Sequence, residues 1–169
     1  MSAATDLLLD GWSRIEGSVH RAGEGLGPED LAVRLDPDAN SIGWLLWHLT
    51  RVQDDHVSEV AGREQAWTSD GWDARFDLPV GGVGYGHTSA EVGAVRGFGA
   101  GLVLGYYDAV HQRSVEFIRG LRDEDLDRVV DERWDPPVTL GVRLVSVLDD
   151  CLEHAGQAAF VRGVLERRS

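Results

Sequence analysis

Lysine is absent from this sequence of 169 residues, and all 16 of its basic residues are arginine. This absence excludes every mechanism that forms a Schiff base between a lysine amine and a carbonyl substrate. The basic residues are outnumbered by 29 acidic ones, which gives a formal net charge of −13. Because such a chain repels phosphate backbones and anionic membrane surfaces, we expect neither a nucleic-acid partner nor a membrane partner.

Cysteine and long apolar runs are also scarce. Cys151 is the only cysteine, so it has no partner for an internal disulfide, which fits a reducing compartment. No apolar run approaches the roughly 18 residues that a membrane-spanning helix needs. The N-terminal segment is acidic, and its apolar run Leu7–Leu9 is too short for a secretory signal. We therefore expect a soluble, cytoplasmic protein.

Apolar residues recur at helical spacing in four segments, which predicts an all-α protein. No repeat or linker divides the chain, so we expect a single helical-bundle domain over residues 1–169. Two long irregular connections, at about 63–86 and 121–138, indicate a four-helix bundle with long crossover connections. The four helices are predicted at about 5–21, 41–61, 88–117 and from 140 to the C-terminus.

Helix start and stop signals support these boundaries. Asn40 or Ser41 is a good N-cap for the second helix, and Gly62 should end it. The run Thr88-Ser-Ala-Glu91 is a capping box for the third helix, which we expect to be continuous despite its internal glycines. Thr139 can cap the fourth.

A metal-binding pattern lies on the fourth helix. Asp150 and His154 are four residues apart, so their side chains share one helix face. Their neighbours on that face, such as Val147 and Ala158, are apolar, which makes an unpaired carboxylate costly there. His48 flanks the apolar face of the second helix and could supply a third ligand. Two histidines and one carboxylate form the ligand set of catalytic zinc sites and of non-haem iron sites.

A structural alternative remains open for the same residues. Asp150 could pair with Arg143 or Arg162, and both histidines could be ordinary core residues. Spacing alone slightly favours this alternative, because pairs of residues separated by four positions are common by chance.

Two segments of the chain resemble a known family. SIGWLLWHLTRVQDDH, at 41–56, and VSVLDDCLEHAGQAAFVRG, at 145–163, are similar to the signature segments of the DinB-like superfamily, which includes mycothiol-dependent maleylpyruvate isomerase. The resemblance implies a four-helix bundle that binds a divalent metal, often zinc. Its ligands would be His48, Asp150 and His154.

The residue at position 150 departs from the commonest family pattern, which has histidine there, whereas the isomerase has glutamate. Aspartate is one methylene shorter than glutamate, so the ligand could bind at longer range, or Asp149 or Glu153 could compete with it. The metal could also differ. Zinc is the expected cofactor, with nickel, iron or manganese as alternatives.

Three further residues are candidates for substrate binding. Asp55 lies two helical turns after His48 and could orient a ligand or contact substrate, although it could also be a plain surface acid. Tyr85 and His87 lie in the loop GGVGYGHT, just before a helix N-terminus that could accept a substrate carboxylate. The alternative for this loop is an ordinary flexible turn.

Other residues near the predicted ligands receive structural roles. Trp44 and Trp47 could form an apolar pocket around the metal, or could be ordinary core anchors. His56 is expected outside the ligand set, Gln157 is assigned to bundle packing, and Cys151 to the core.

These features lead to three functional hypotheses. The resemblance implies a metal-dependent transferase or isomerase in which a low-molecular-weight thiol, such as mycothiol or bacillithiol, attacks an electrophilic substrate. Alternatively, water at the metal hydrolyses an amide or ester, with His87 or Asp55 as proton carrier. The third hypothesis is a non-catalytic bundle that binds a ligand or a partner and whose metal is structural or absent. For a small bundle we also expect a homodimer.

Overall fold

The computed structural model describes residues 2–168 and confirms the predicted all-α four-helix bundle with long crossover connections. Among these residues, no helix is long and apolar enough to cross a membrane. The helices are α1 (Ala3–Gly23), α2 (Pro28–Ala32), α3 (Ile42–Ala61), α4 (Ala66–Ser69), α5 (Trp72–Phe76), α6 (Ser89–Ala94), α7 (Ala100–Arg119) and α8 (Leu140–Glu166). A 3₁₀ turn (Asp123–Asp127) and a short antiparallel pair, β1 (Val129–Asp131) and β2 (Val138–Thr139), lie between α7 and α8.

The four long helices α1, α3, α7 and α8 form the bundle. Helix α3 packs against α7 and α8, and α1 packs against the same two helices from the opposite side. Helix α3 is buried over most of its length, because the short helices α2 and α4 also contact it. Polar residues on α3 are therefore removed from water, which is unusual for charged or ionisable groups unless they are paired. That the whole chain forms one domain stays a prediction.

The helix ends follow the local signals in the sequence. The hydroxyl of Ser41 accepts a hydrogen bond from the backbone N–H of Trp44, and Gly62 ends α3 in the left-handed conformation, at φ 65°. The hydroxyl of Thr139 accepts from the N–H of Val142 at the start of α8. These caps determine where α3 and α8 begin, and hence the register of the two helices that carry the predicted ligands.

The prediction of one continuous third helix is wrong. Its capping box, Thr88 to Glu91, starts the short helix α6, and the chain then bends before α7 begins at Ala100. Helix α6 ends at Ala94, and Gly97 in the bend adopts a positive φ of 92°, which costs little for glycine. Val95 and Phe98 are buried on either side of it, so packing in the core stabilises the bend.

The two connections contain more regular structure than predicted. Residues 63–86, predicted as an irregular connection, contain α4 and α5, and residues 121–138 form the 3₁₀ turn and most of the β1–β2 pair. The guanidinium of Arg128 donates to the carbonyl of Val60 at 3.0 Å, which ties the second connection to the end of α3. Asp131 and Trp134 are thereby placed beside the C-terminal half of α3.

A buried carboxylate, Asp54, joins α3 to its neighbours. It accepts hydrogen bonds from the backbone N–H groups of Ala66 (2.9 Å) and Trp67 (2.8 Å) and from the Tyr106 hydroxyl (2.9 Å). The Arg51 guanidinium lies 3.5 Å away. These contacts hold α4 and α7 against α3, and a buried charge with this many partners is costly to alter.

We expect Asp54→Asn to lower the free energy of unfolding by about 1–3 kcal/mol, because the new amide NH₂ would face backbone N–H donors and leave one of them unpaired. Urea unfolding followed by tryptophan fluorescence measures the change. Asp10→Asn is the matched control: Asp10 forms an exposed pair with Arg14, and such pairs contribute little. Equal unfolding midpoints for the two variants would contradict the role given to Asp54.

Candidate metal centre

The structure brings the three predicted ligands together. His48 on α3 and Asp150 and His154 on α8 each offer one ligand atom, and these atoms all lie within 4.8 Å of one another. The imidazole Nε2 of His154 lies 3.7 Å from Oδ1 of Asp150, as expected for two residues on one face of a helix. The ring centres of His48 and His154 are 4.8 Å apart. We refer to these three residues as the trio.

His48 is almost completely buried, at 2% exposure, and its orientation is determined by a backbone carbonyl. Nδ1 donates to the carbonyl oxygen of Val83 at 2.5 Å, which leaves Nε2 free to act as a ligand. Trp44 stacks on the imidazole at a ring distance of 4.5 Å. Burial lowers the pKa of His48 to about 4, although the bond to Val83 opposes this shift. At neutral pH the ring is therefore uncharged, which is the form that coordinates metals.

The loop that carries Val83 approaches His48 so closely that one position must be glycine. Gly84 has φ 104°, and a Cβ atom there would lie 2.5 Å from Nδ1 of His48 and 3.2 Å from the Trp47 ring. The Arg51 guanidinium donates to the carbonyl of Gly82 at 3.4 Å and helps to hold the loop. The glycine-rich segment is thus not a plain turn but packs closely over a candidate ligand.

His154 is oriented by a residue that sequence reasoning assigned to packing. Its Nδ1 lies 2.9 Å from Oε1 of Gln157, and donation of the Nδ1 proton to that oxygen leaves Nε2 facing Asp150. The spacing of three residues on one helix could have revealed this pair.

Asp150 has one oxygen without a partner. Its Oδ2 is buried and accepts no hydrogen bond from any residue between 2 and 168. Burial raises the pKa of this carboxyl, while the nearby His154 and His56 act to lower it. A buried carboxylate oxygen without a donor costs about 1–3 kcal/mol, and a bound cation would remove that cost. The donor set and this unpaired oxygen therefore fit a divalent metal ion.

The alternative, in which an arginine neutralises Asp150, finds no support in the structure. Arg143 pairs with Glu59 at 3.1 Å and with Asp131 at 3.3 Å, while Arg162 pairs with Glu166 at 2.8 Å. Both arginines are thus engaged by other carboxylates. That the trio holds a metal stays a prediction that this arrangement favours.

Asp55 and His87 lie near the trio but have structural partners of their own. The Asp55 carboxylate accepts from the Gln65 amide at 2.6 Å. His87 accepts from the indole N–H of Trp44 at 3.2 Å and stacks on Trp47 at a ring distance of 5.8 Å. His87 therefore supports the tryptophan that stacks on His48. Nearby, Glu91 occupies the helix start after this loop, where its carboxylate accepts from the N–H of Thr88 at 2.7 Å.

Tyr85 is the predicted substrate-binding residue that lies nearest to the trio. Its ring meets the edge of His48 at a centre distance of 5.2 Å, and 58% of the residue is exposed. Partial burial and the charge of Asp150 raise the pKa of its phenol to about 12, so the hydroxyl is protonated at neutral pH. A role in substrate binding stays a prediction, for which Tyr85 has both the exposure and a hydrogen-bond donor.

Cys151 is confirmed as a core residue. It is fully buried, and its Sγ faces the carbonyl oxygen of Leu49 at 3.6 Å. Burial raises the pKa of the thiol well above its usual range, so no thiolate forms at neutral pH. A thiol that takes part in chemistry at the trio must come from outside the chain.

A cavity of about 620 Å³ opens beside the trio, between the C-terminal half of α3 and the N-terminal half of α8. We call it the α3–α8 cavity. Its wall includes Asp55, His56, Glu59, Trp134, Arg143 and Ser146. Sequence reasoning missed it, because half of its wall belongs to the two connections, 63–86 and 121–138, which have no pattern that predicts their position.

Comparison with known proteins found a matching family model and a similar solved structure. A family model described as mycothiol-S-transferase matches residues 13–167 of the chain. A solved structure of a conserved protein from Enterococcus faecalis is similar, with a TM-score of 0.89, 28% sequence identity and 96% of each chain covered. No curated protein matches the sequence significantly.

Proposed function

Because the chain belongs to the mycothiol-S-transferase family, a DinB-like family, we propose that it is a divalent-metal-dependent transferase. It joins the sulfur of a low-molecular-weight thiol such as mycothiol to an electrophilic substrate. The observation that carries this proposal is the buried, unpartnered Oδ2 of Asp150 beside two histidines whose Nε2 atoms are free. Zinc is the expected metal, with nickel, iron and manganese as alternatives.

The trio would hold the ion and leave open positions beside it, since three protein ligands do not complete the coordination of these metals. A divalent ion bound there would lower the pKa of a coordinated thiol enough for the thiolate to be present at neutral pH. The bond between sulfur and carbon forms as the bond from that carbon to its leaving group breaks, and the thiol proton passes to solvent.

The surrounding residues orient the reactants and limit access of water. Trp44 and the loop at Val83 cover His48, which is 2% exposed, and the ring of Tyr85 lies at the edge of its imidazole. The protonated phenol of Tyr85 can donate a hydrogen bond to the leaving group or to a substrate carbonyl.

Turnover of mycothiol with a generic electrophile, monochlorobimane, tests the proposal. We expect metal-loaded protein to accelerate formation of the fluorescent conjugate, and removal of the metal with a chelator to reduce the rate at least about tenfold. Adding the metal back should restore it. Cys151→Ser is the control and should keep full activity, because the buried thiol takes no part in the reaction.

The proposal fails if no metal-loaded form shows a mycothiol-dependent rate. The same assay with an ester in place of the bimane separates transfer from hydrolysis. We favour transfer, because Asp55 and His87, the expected proton carriers for hydrolysis, are engaged by Gln65 and Trp44.

A further inference from the structure

Helix α8 is apolar on two opposite sides, although only one side packs against the bundle. The residues that face the core, such as Leu144 and Val147, are buried. On the other side, apolar residues recur every three or four positions and face solvent. We call this side the α8 outer face; its members are Val142, Val145, Leu148, Leu152, Gly156, Ala159 and Phe160. Helices that are apolar all round are normally buried on every side, so this face is suited to a partner.

The large side chains of the α8 outer face are well exposed. Val145 is 56% exposed, Leu152 38% and Phe160 65%. Four of the nine large apolar residues that are exposed between 2 and 168 lie on this face. The chain has a net charge of −13, yet charged residues only border the face, at Asp149 and Glu153. An apolar surface in so acidic a chain is suited to contact with another apolar surface.

The α8 outer face is complementary to itself about Leu152. Leu148 and Gly156 lie four residues before and after Leu152. Val145 and Ala159 lie seven residues before and after it. In two antiparallel copies related by a two-fold axis at Leu152, each larger residue is therefore opposite a smaller one. A Cβ atom at Gly156 would meet no atom within 4 Å, so the space beside it is open to Leu148 of the second copy.

Phe160 fits the same arrangement. A groove of about 540 Å³ runs along the N-terminal half of the face and includes Val142 and Val145 in its wall. The groove extends from eleven to three residues before Leu152, and Phe160 lies eight residues after Leu152. Antiparallel pairing therefore places Phe160 of each copy over the groove of the other, about 12 Å from the axis.

We infer that the α8 outer face binds the same face of a second copy of this chain, in an antiparallel pair whose two-fold axis passes near Leu152. From Val142 to Phe160 the face is about 27 Å long and about 10 Å wide, and the exposed Leu7 on the neighbouring α1 adds to it. Two such faces bury on the order of 1,000 Å² together, close to the lower limit for a specific interface. We therefore expect a dissociation constant in the micromolar range.

Pairing through this face leaves the trio accessible. Asp150 and His154 are each two residues from Leu152, which is about 200° round the helix, so they project from the opposite side of α8. A variant that separates the two copies should therefore keep its metal content. The inference does not depend on the proposed transferase function.

Sedimentation equilibrium between about 1 and 100 μM tests the inference, and the mass should rise toward twice 18.5 kDa. Leu152→Asp brings two carboxylates together at the axis and should raise the dissociation constant at least about 100-fold. Val33→Asp is the matched control, because Val33 is 36% exposed and lies outside this face, at the end of α2. Wild-type protein that stays monomeric at 100 μM, or equal dissociation constants for wild type and Leu152→Asp, would overturn the inference.

Gly156→Leu separates association from folding. The monomer has room for the new side chain, and leucine favours a helix more than glycine does. In the dimer the same side chain occupies the space of Leu148 of the second copy. We expect the dissociation constant to rise at least about tenfold, with no fall in the urea midpoint of the monomer. Gly101→Leu, at a helical glycine of α7 that also has open space, is the control and should associate as the wild type does. Unchanged association of Gly156→Leu would contradict the close approach of the two helices at this residue.

Disulfide formation tests the antiparallel orientation. Two copies of Leu152→Cys should become linked under mild oxidation, because residue 152 lies at the axis. Two copies of Phe160→Cys should not, since residue 160 of one copy would be about 24 Å from its equivalent along the helix. Wild-type protein is the control, as its buried Cys151 should form no link. Equal linking of both variants would indicate parallel helices and contradict the inferred pair.

Discussion

Replacing His154 by alanine is expected to lower metal affinity by two to three orders of magnitude. Structural zinc sites with four ligands have binding free energies of about 10–16 kcal/mol, so one ligand contributes roughly 2.5–4 kcal/mol. The loss is large here because Gln157 orients His154, so its Nε2 needs no reorganisation to bind. Elemental analysis after dialysis, followed by titration against a chelator of known affinity, measures the change. His48→Ala should behave in the same way.

His20→Ala provides the control for this experiment. His20 is a partly exposed histidine whose Nε2 lies 2.7 Å from the Asp108 carboxylate, away from the trio. Its removal should leave metal content unchanged. Full metal content in both His48→Ala and His154→Ala would place the metal elsewhere in the protein. The melting temperature decides whether the ion is structural. If a variant loses the metal and its melting temperature hardly changes, the ion is not structural.

Gly84→Ala is expected to lower metal affinity about 10- to 100-fold, although residue 84 is not a ligand. The new Cβ would lie 2.5 Å from Nδ1 of His48, so either the loop or the imidazole must move. Either movement breaks the hydrogen bond to the Val83 carbonyl that orients the ring. Comparison of metal affinity and urea unfolding between wild type and the variant measures both effects.

Gly82→Ala is the matched control for Gly84→Ala. Gly82 lies in the same loop and also has positive φ, at 70°, but a Cβ there would meet no atom within 4 Å. Both variants should lose about 1–2 kcal/mol of stability from the left-handed backbone. Only Gly84→Ala should lose metal affinity. Equal metal affinities in the two variants would contradict the role of the close approach to His48.

Much of the fold was predictable from local pattern. Ser41, Gly62 and Thr139 mark helix ends through hydrogen bonds and backbone conformations that depend on neighbouring residues alone. The third helix was predicted wrongly, since its break depends on burial of Val95 and Phe98 around Gly97. Packing of this kind involves residues that are distant in sequence, which local signals do not contain.

The sequence by itself determined that Asp150 and His154 share a helix face, because that relation follows from helical periodicity alone. Its position beside the apolar face of the second helix made His48 a candidate partner, and the resemblance supported it. Only the tertiary structure decided that His48 faces them across the bundle, that Arg143 and Arg162 pair elsewhere and that Oδ2 of Asp150 has no donor among residues 2–168. The tertiary structure also brings the carbonyl oxygen of Val83 to Nδ1 of His48. A backbone carbonyl is the same chemical group at every residue, so its approach to a ligand becomes visible only when the folded chain brings the two together.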